Sequence, residues 1–353
     1  MTDRFLYIKN YVEIKVKNTV VFGNDGYHYT VGYFTANKWL DSNNLVAARS
    51  KYRDIGQEKR GVELVKISIS DKKITVISDN LSEWGNYVVF ESKVYYLTEN
   101  EIRVFDFCDK SDKILYKSAE CLPGSPHITA DGRYISLFSY NEETHMRAFR
   151  FDTKSLKLEE MFGKKFRDPF PIANHVMINP KNENVFFFAH EGDTRYISNR
   201  LWLFDDKGMR NIASQKLNFD GELEDCFGHE TWAPSGKGIY FIKYDLSLSE
   251  PYGISYVNIE TNETKVLYSK YKYWHVGVSR DERFLTADTR CSGKFSEIIL
   301  IDRISGEEIF VDKVATNKIH PCHPHPTISF DNSKIAYNSV DDLGNTCVKI
   351  AIL

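Results

Sequence analysis

The stretch His229–Tyr244, HETWAPSGKGIYFIKY, sets a histidine and a short run before a Pro-Ser-Gly turn, and follows the turn with an apolar, aromatic run. Turn residues between two runs of strand-forming side chains read as a β-hairpin. The same phrase recurs along the chain. HITADGRYISLFSY begins at His127, HVMINPKNENVFFFAH at His175, HVGVSRDERFLTAD at His275 and HPTISFDNSKIAYNS at His325. The histidines are separated by 48, 54, 46 and 50 residues in chain order. HYTVGYFTANKWLDSNNLVAAR at His28 lies 99 residues before His127, which is two steps. The step between them falls on LSEWGNYVVFESKVYYLTENEIRVFDF, which lacks the histidine and keeps the strand pattern. A fixed period of this length is the mark of a repeat architecture.

Each unit continues into a second pair of runs, as in RAFRFDTKSLKLEEMF, RLWLFDDKGMRNIA, GISYVNIETNETKVLY and EIILIDRISGEEIFV. Four short strands per unit of about fifty residues make a propeller blade. The spacing predicts an all-β fold over residues 1–353: one seven-bladed β-propeller domain with four antiparallel strands per blade. After His325 only three strand runs remain, so the fourth strand of the last blade is expected from RFLYIKNYVEIKVKNTVVF, which would close the ring and remove an open edge.

Bulk properties narrow the function. The 353 residues are 42% hydrophobic and 14% aromatic, with 21 Tyr and 23 Phe against 5 Met, a loading that favours strands. A net charge of −3 gives no footprint for nucleic acid. The N-terminus has no basic segment followed by an apolar one, and no apolar run approaches a membrane span. The six cysteines, Cys108, Cys121, Cys226, Cys291, Cys322 and Cys347, form no Cys-x-x-Cys pair and read as thiols of a reducing compartment. A cytoplasmic monomer or weak oligomer, with no nucleic-acid or membrane partner, is expected. There is no Gly-rich phosphate loop and no Gly-x-Ser-x-Gly elbow.

In a propeller the first strand of each blade lines the central channel, and the residue before it lies at one mouth. The blade-start histidines therefore converge, and HPCHPHP (His320–Pro326) joins His275 and His229 there. For His28, His127 and His175 a structural role, tying blade to loop, is the simpler reading. At His275, His323 and His325 the density of imidazoles favours a metal. Pro321 and Pro324 would stiffen that loop. An imidazole shell suits zinc, iron, nickel or copper, and manganese less well. Cys322 is expected to point away. Trp232 and Trp274 flank the histidines, either to stack on a ligand or to pack between blades.

Four of these phrases resemble a known family. AHEGDTRYISNRLWLFDDKG is similar to the Cys-His-Glu-Gly phrase and following Arg-aliphatic-Trp of the oligogalacturonate lyases, pectin-degrading polysaccharide lyases built as seven-bladed propellers. GHETWAPSGKGIYF, WHVGVSRDERFL and HPCHPHPTISFDNSKIAY resemble further motifs of that family, and the likeness runs from about His175 to the C-terminus. The resemblance implies a metal, manganese in the family, on His275, His323 and His325. A fourth ligand would be His320, where the family has Gln. It also implies His229 as the catalytic base and Arg200 as a catalytic, substrate-binding residue, with His190, Glu191 and Arg195 beside the substrate.

The implied reaction is β-elimination by a carbon–oxygen lyase acting on a polysaccharide fragment, a short uronate oligosaccharide. A base takes the C5 proton and the bond from C4 to the leaving sugar breaks. A metal on the carboxylate would stabilise the developing charge, a planar Arg would add two donors, and no activated water is needed. Two alternatives stay open: the same site acting on another uronate-containing oligosaccharide, and a non-catalytic binding propeller with structural histidines.

Overall fold

The computed structural model describes residues 14–51, 61–119, 122, 124, 126–141, 145–216, 218, 220, 223–316 and 322–353. Its strands form seven four-stranded antiparallel sheets, each paired in simple chain order except the last. The innermost strands of blades one to seven are His28–Thr30, Tyr87–Phe90, His127–Ile128, Ala173–Asn179, Phe227–Trp232, Tyr273–Val278 and Thr327–Ile328. The all-β, seven-bladed expectation is borne out, and so is the blade whose histidine is missing. In blade seven the N-terminal strand Asn18–Phe22 pairs with Thr346–Ile352, with Thr19 opposite Ala351 and Val21 opposite Lys349. The ring is closed as expected. Among the described residues no helix is long and apolar enough to cross a membrane.

The repeated turn has one physical cause. In blades three, six and seven Thr129, Ser279 and Ser329 donate their hydroxyls to Asp131, Asp281 and Asp331 at 2.6, 2.6 and 2.7 Å. Each Asp also accepts from the backbone N–H two residues on, at Arg133, Arg283 and Ser333. The residue between them takes a left-handed backbone: Gly132 with φ 72°, Glu282 with φ 55° and Asn332 with φ 59°. Glycine is the usual solution there; the Asp cap lets other side chains substitute for it.

Apolar runs that fail to alternate also have a simple explanation. Phe186, Phe187 and Phe188 are all fully buried. Phe187 packs towards blade five, with Phe241 and Trp232, while Phe186 and Phe188 pack towards blade three, with Phe138 and Phe162. Successive side chains of a strand point to opposite faces, and both faces of a blade are covered by neighbours.

Candidate metal centre

Three histidines meet at one mouth. His275, His323 and His325 each offer a nitrogen, and these atoms lie within 4.8 Å of one another. A left-handed backbone aims His325 and two neighbouring histidines at this mouth. His325 has φ 46°, and His175 and His229 have φ 55° and 53°. Left-handed backbone in a non-glycine residue costs about 1–3 kcal/mol and gathers at functional sites. In blades four and five the strand register also shifts across these residues, between Asn174 and Met177 and between Gly228 and Thr231. Such bulges re-aim a side chain. Gly228 is needed beside His229, because a Cβ there would come within 2.1 Å of the Tyr244 hydroxyl.

The donor set suits a divalent cation. His275 is fully buried, and its Nδ1 lies 2.9 and 2.8 Å from the two carboxylate oxygens of Asp288. A carboxylate on one ring nitrogen fixes the tautomer and turns the other lone pair outward, the usual arrangement behind a ligating histidine. Burial pushes the Asp288 carboxyl up to about 7. The loop bearing His323 is held by Asn338, whose amide donates to the His323 carbonyl at 2.9 Å and whose backbone N–H donates to the Pro324 carbonyl at 2.8 Å. Cys322 is turned to Thr346, its sulfur 2.9 Å from the hydroxyl, and is not part of the histidine group. His320 and Pro321 lie outside the described residues.

His229 adjoins the cluster, its ring centre 4.1 Å from that of His275. Its Nδ1 is 2.9 Å from the Tyr244 hydroxyl, and Trp274 packs on it at 5.1 Å. Burial above all, then His275, Arg200 and His175, holds its pKa well below the ordinary value, so the ring is neutral at neutral pH.

Arg200 is only 3% exposed. Its Nε donates to Glu230 at 2.5 Å, and its two Nη atoms reach Glu191 at 3.3 and 3.4 Å. Burial alone would lower its pKa; the Glu230 and Glu191 carboxylates reverse that and raise it above the ordinary value. His175 stands between the same carboxylates, 3.5 Å from Glu191 and 3.7 Å from Glu230. Arg200, Glu191, Glu230 and His175 therefore form one network beside the histidine cluster.

The remaining candidates are engaged elsewhere. His190 stacks on Phe166 at 3.8 Å and its Nε2 is 2.7 Å from the Phe170 carbonyl. Arg195 folds back on Asp193 at 2.6 and 3.0 Å, with its side chain 59% exposed. His28 and His127 make local bonds: His28 Nδ1 accepts from the Thr346 backbone at 3.2 Å, and His127 Nε2 is 2.7 Å from the Thr35 hydroxyl. Trp232 packs between blades and donates to the Met177 carbonyl at 3.1 Å.

Several site residues had gone unassigned in the sequence. Tyr33 and Phe34, on the chain leaving the first strand of blade one, lie 5.0 and 6.0 Å from the His325 ring and 6.2 and 5.1 Å from that of His275. Trp84 of blade two, which has no blade-start histidine, lies parallel to His325 at 6.1 Å. Asp288, Glu230 and Tyr244 complete the set.

No family model and no curated protein matches the chain. Solved structures do. An oligogalacturonate lyase in complex with manganese superposes with a TM-score of 0.76 at 16% identity, over 93% of this chain and 90% of that one. The oligogalacturonate lyase of Vibrio parahaemolyticus gives 0.75 at 16% identity, over 96% and 97%. The β-propeller domain of the trilobed protease from Pyrococcus furiosus gives 0.59 at 12% identity, over 91% and 94%. What the chain shares with all three is the propeller fold.

Proposed function

We propose that the chain is a metal-assisted lyase that cleaves short, oligogalacturonate-like uronate oligosaccharides by β-elimination. The convergence of His275, His323 and His325 within 4.8 Å, with His229 beside them, carries this reading. Likeness in fold to a lyase that holds manganese supports it and favours manganese as the ion. When bound by these three histidines, a divalent cation supplies a Lewis acid for the substrate carboxylate.

The chain's own residues do the rest. His229, neutral because it is buried, takes the C5 proton. The Tyr244 hydroxyl at Nδ1 orients the ring. Arg200 is held at Nε by Glu230, while its Nη edge makes longer contacts, with Glu191 and the His190 carbonyl. A substrate carboxylate would displace Glu191 from that edge and gain two parallel donors. His190 acts at one remove, by supporting the 166–170 segment. A cytoplasmic location and a monomer or weak oligomer belong to the same reading.

The test is a panel of uronate oligosaccharides followed by the ultraviolet absorbance of the unsaturated product. Absorbance should rise with oligogalacturonate, stop on chelation and return with manganese. A panel without any response, on protein containing stoichiometric metal, would overturn the lyase reading.

A further inference from the structure

Two cavities open near the three histidines, one past Tyr33 and Trp84 and one past His323, and they differ in their cations. One, of about 390 Å³, is lined on the blade two to four side by Glu83, Trp84, Tyr140, Asn174 and His175, with no lysine or arginine among its described lining residues. The other, of about 480 Å³, opens beyond His323 and is lined by Asp245, Lys272, Trp274, Asp288 and Arg290.

We propose that this second cleft is a subsite for the uronate next to the one being cleaved, with Arg290 and Lys272 taking its carboxylate and Trp274 forming the floor. The proposal rests on the lyase reading above and adds where the oligosaccharide runs. Asp245, nearly buried, holds both cations: Arg290 Nη1 donates to it at 2.7 Å and Lys272 Nζ lies 3.1 Å away. Two cations share one carboxylate at the rim, while the other carboxylate of the lining, Asp288, is turned to His275. The Arg290 and Lys272 side chains remain 41% and 72% exposed, so both can turn donors to a ligand. Trp274 connects the two regions, its ring 5.1 Å from that of His229 and 5.7 Å from the Arg290 guanidinium carbon. An oligosaccharide with its reacting sugar at His229 therefore meets an aromatic face and then cations, an order that suits a polyanionic sugar chain.

Calorimetry on metal-loaded His229→Ala protein, in which turnover is slowed about 10²–10⁴-fold, tests this. Saturated trigalacturonate and galacturonate monomer are titrated into that parent and into versions also carrying Arg290→Ala, Arg290→Lys or Lys272→Ala. Arg290→Ala should weaken the trimer about tenfold, the worth of one charge-assisted contact. It should leave monomer binding unchanged, and Arg290→Lys should restore part of the loss. Trimer affinity unaltered in both alanine variants would overturn the subsite while leaving the lyase reading intact. A parent that binds no uronate would overturn both.

Discussion

His229 and His323 sit in one cluster but answer to different physics. His323 is proposed to hold the metal, so His323→Ala should lose bound metal and activity together. His229 is proposed to act only on the substrate proton, so His229→Ala should keep its metal and melting temperature while turnover falls about 10²–10⁴-fold. Metal content, thermal melting and initial rates on the two variants check this; near-normal turnover of folded His229→Ala would exclude it as the base. Glu230 is fully buried against Arg200. Glu230→Ala would leave the buried guanidinium only its longer contacts with Glu191 and should cost about 1–3 kcal/mol by denaturant unfolding. Lys38 offers a pH test away from the site. It is fully buried, donates to the Tyr87 carbonyl at 2.9 Å, and burial lowers its pKa from 10.5 to about 7. The unfolded chain keeps that proton up to its higher pKa, so folding gains stability as pH rises from about 7 towards 10.5, by about 1.4 kcal/mol per unit. Lys38→Met removes the penalty but leaves the Tyr87 carbonyl unpaired, at about 1–3 kcal/mol. Melting curves should show the variant more stable than wild type at pH 6 and close to it at pH 9.

At the scale of elements, the bulged first strands matter most. The left-handed His229 needs Gly228 before it, and Gly228 leaves room for Tyr244. Gly228→Ala should push Tyr244 off His229 and reduce turnover more than an overpacking cost of about 1–3 kcal/mol in stability explains; rates measured well below the melting temperature separate the two effects. These elements also show how far the sequence can be read. The blade-start histidines and their turns were legible because they repeat. Tyr33, Phe34 and Trp84 were not, since each occurs once and reaches the histidines only after the ring closes. Asp288 stood at the end of a quoted repeat, and its partnership with His275, 13 residues away, follows only from the register that sets them opposite. The motif around Arg200 was visible, but its burial between two carboxylates was not, because Glu191 and Glu230 come from different blades.

For the whole molecule, ring closure is what turns scattered residues into a site. His229, His275 and His325 belong to blades five, six and seven, and Tyr33 arrives from blade one across the seam closed by Asn18–Phe22. Charge is placed locally on a chain of net −3, with two cations at one cleft beside the histidines. That suits a small anionic ligand better than a polyanionic surface. Elimination at this site can be told from every competing cleavage by mass. Trigalacturonate is incubated with the metal-loaded protein and the products are weighed by mass spectrometry. Elimination gives two products whose masses sum to that of the substrate, one of them unsaturated. A sum heavier by one water would mean hydrolysis, and an uncleaved substrate would mean no lyase activity on this sugar; either result would contradict the proposed chemistry.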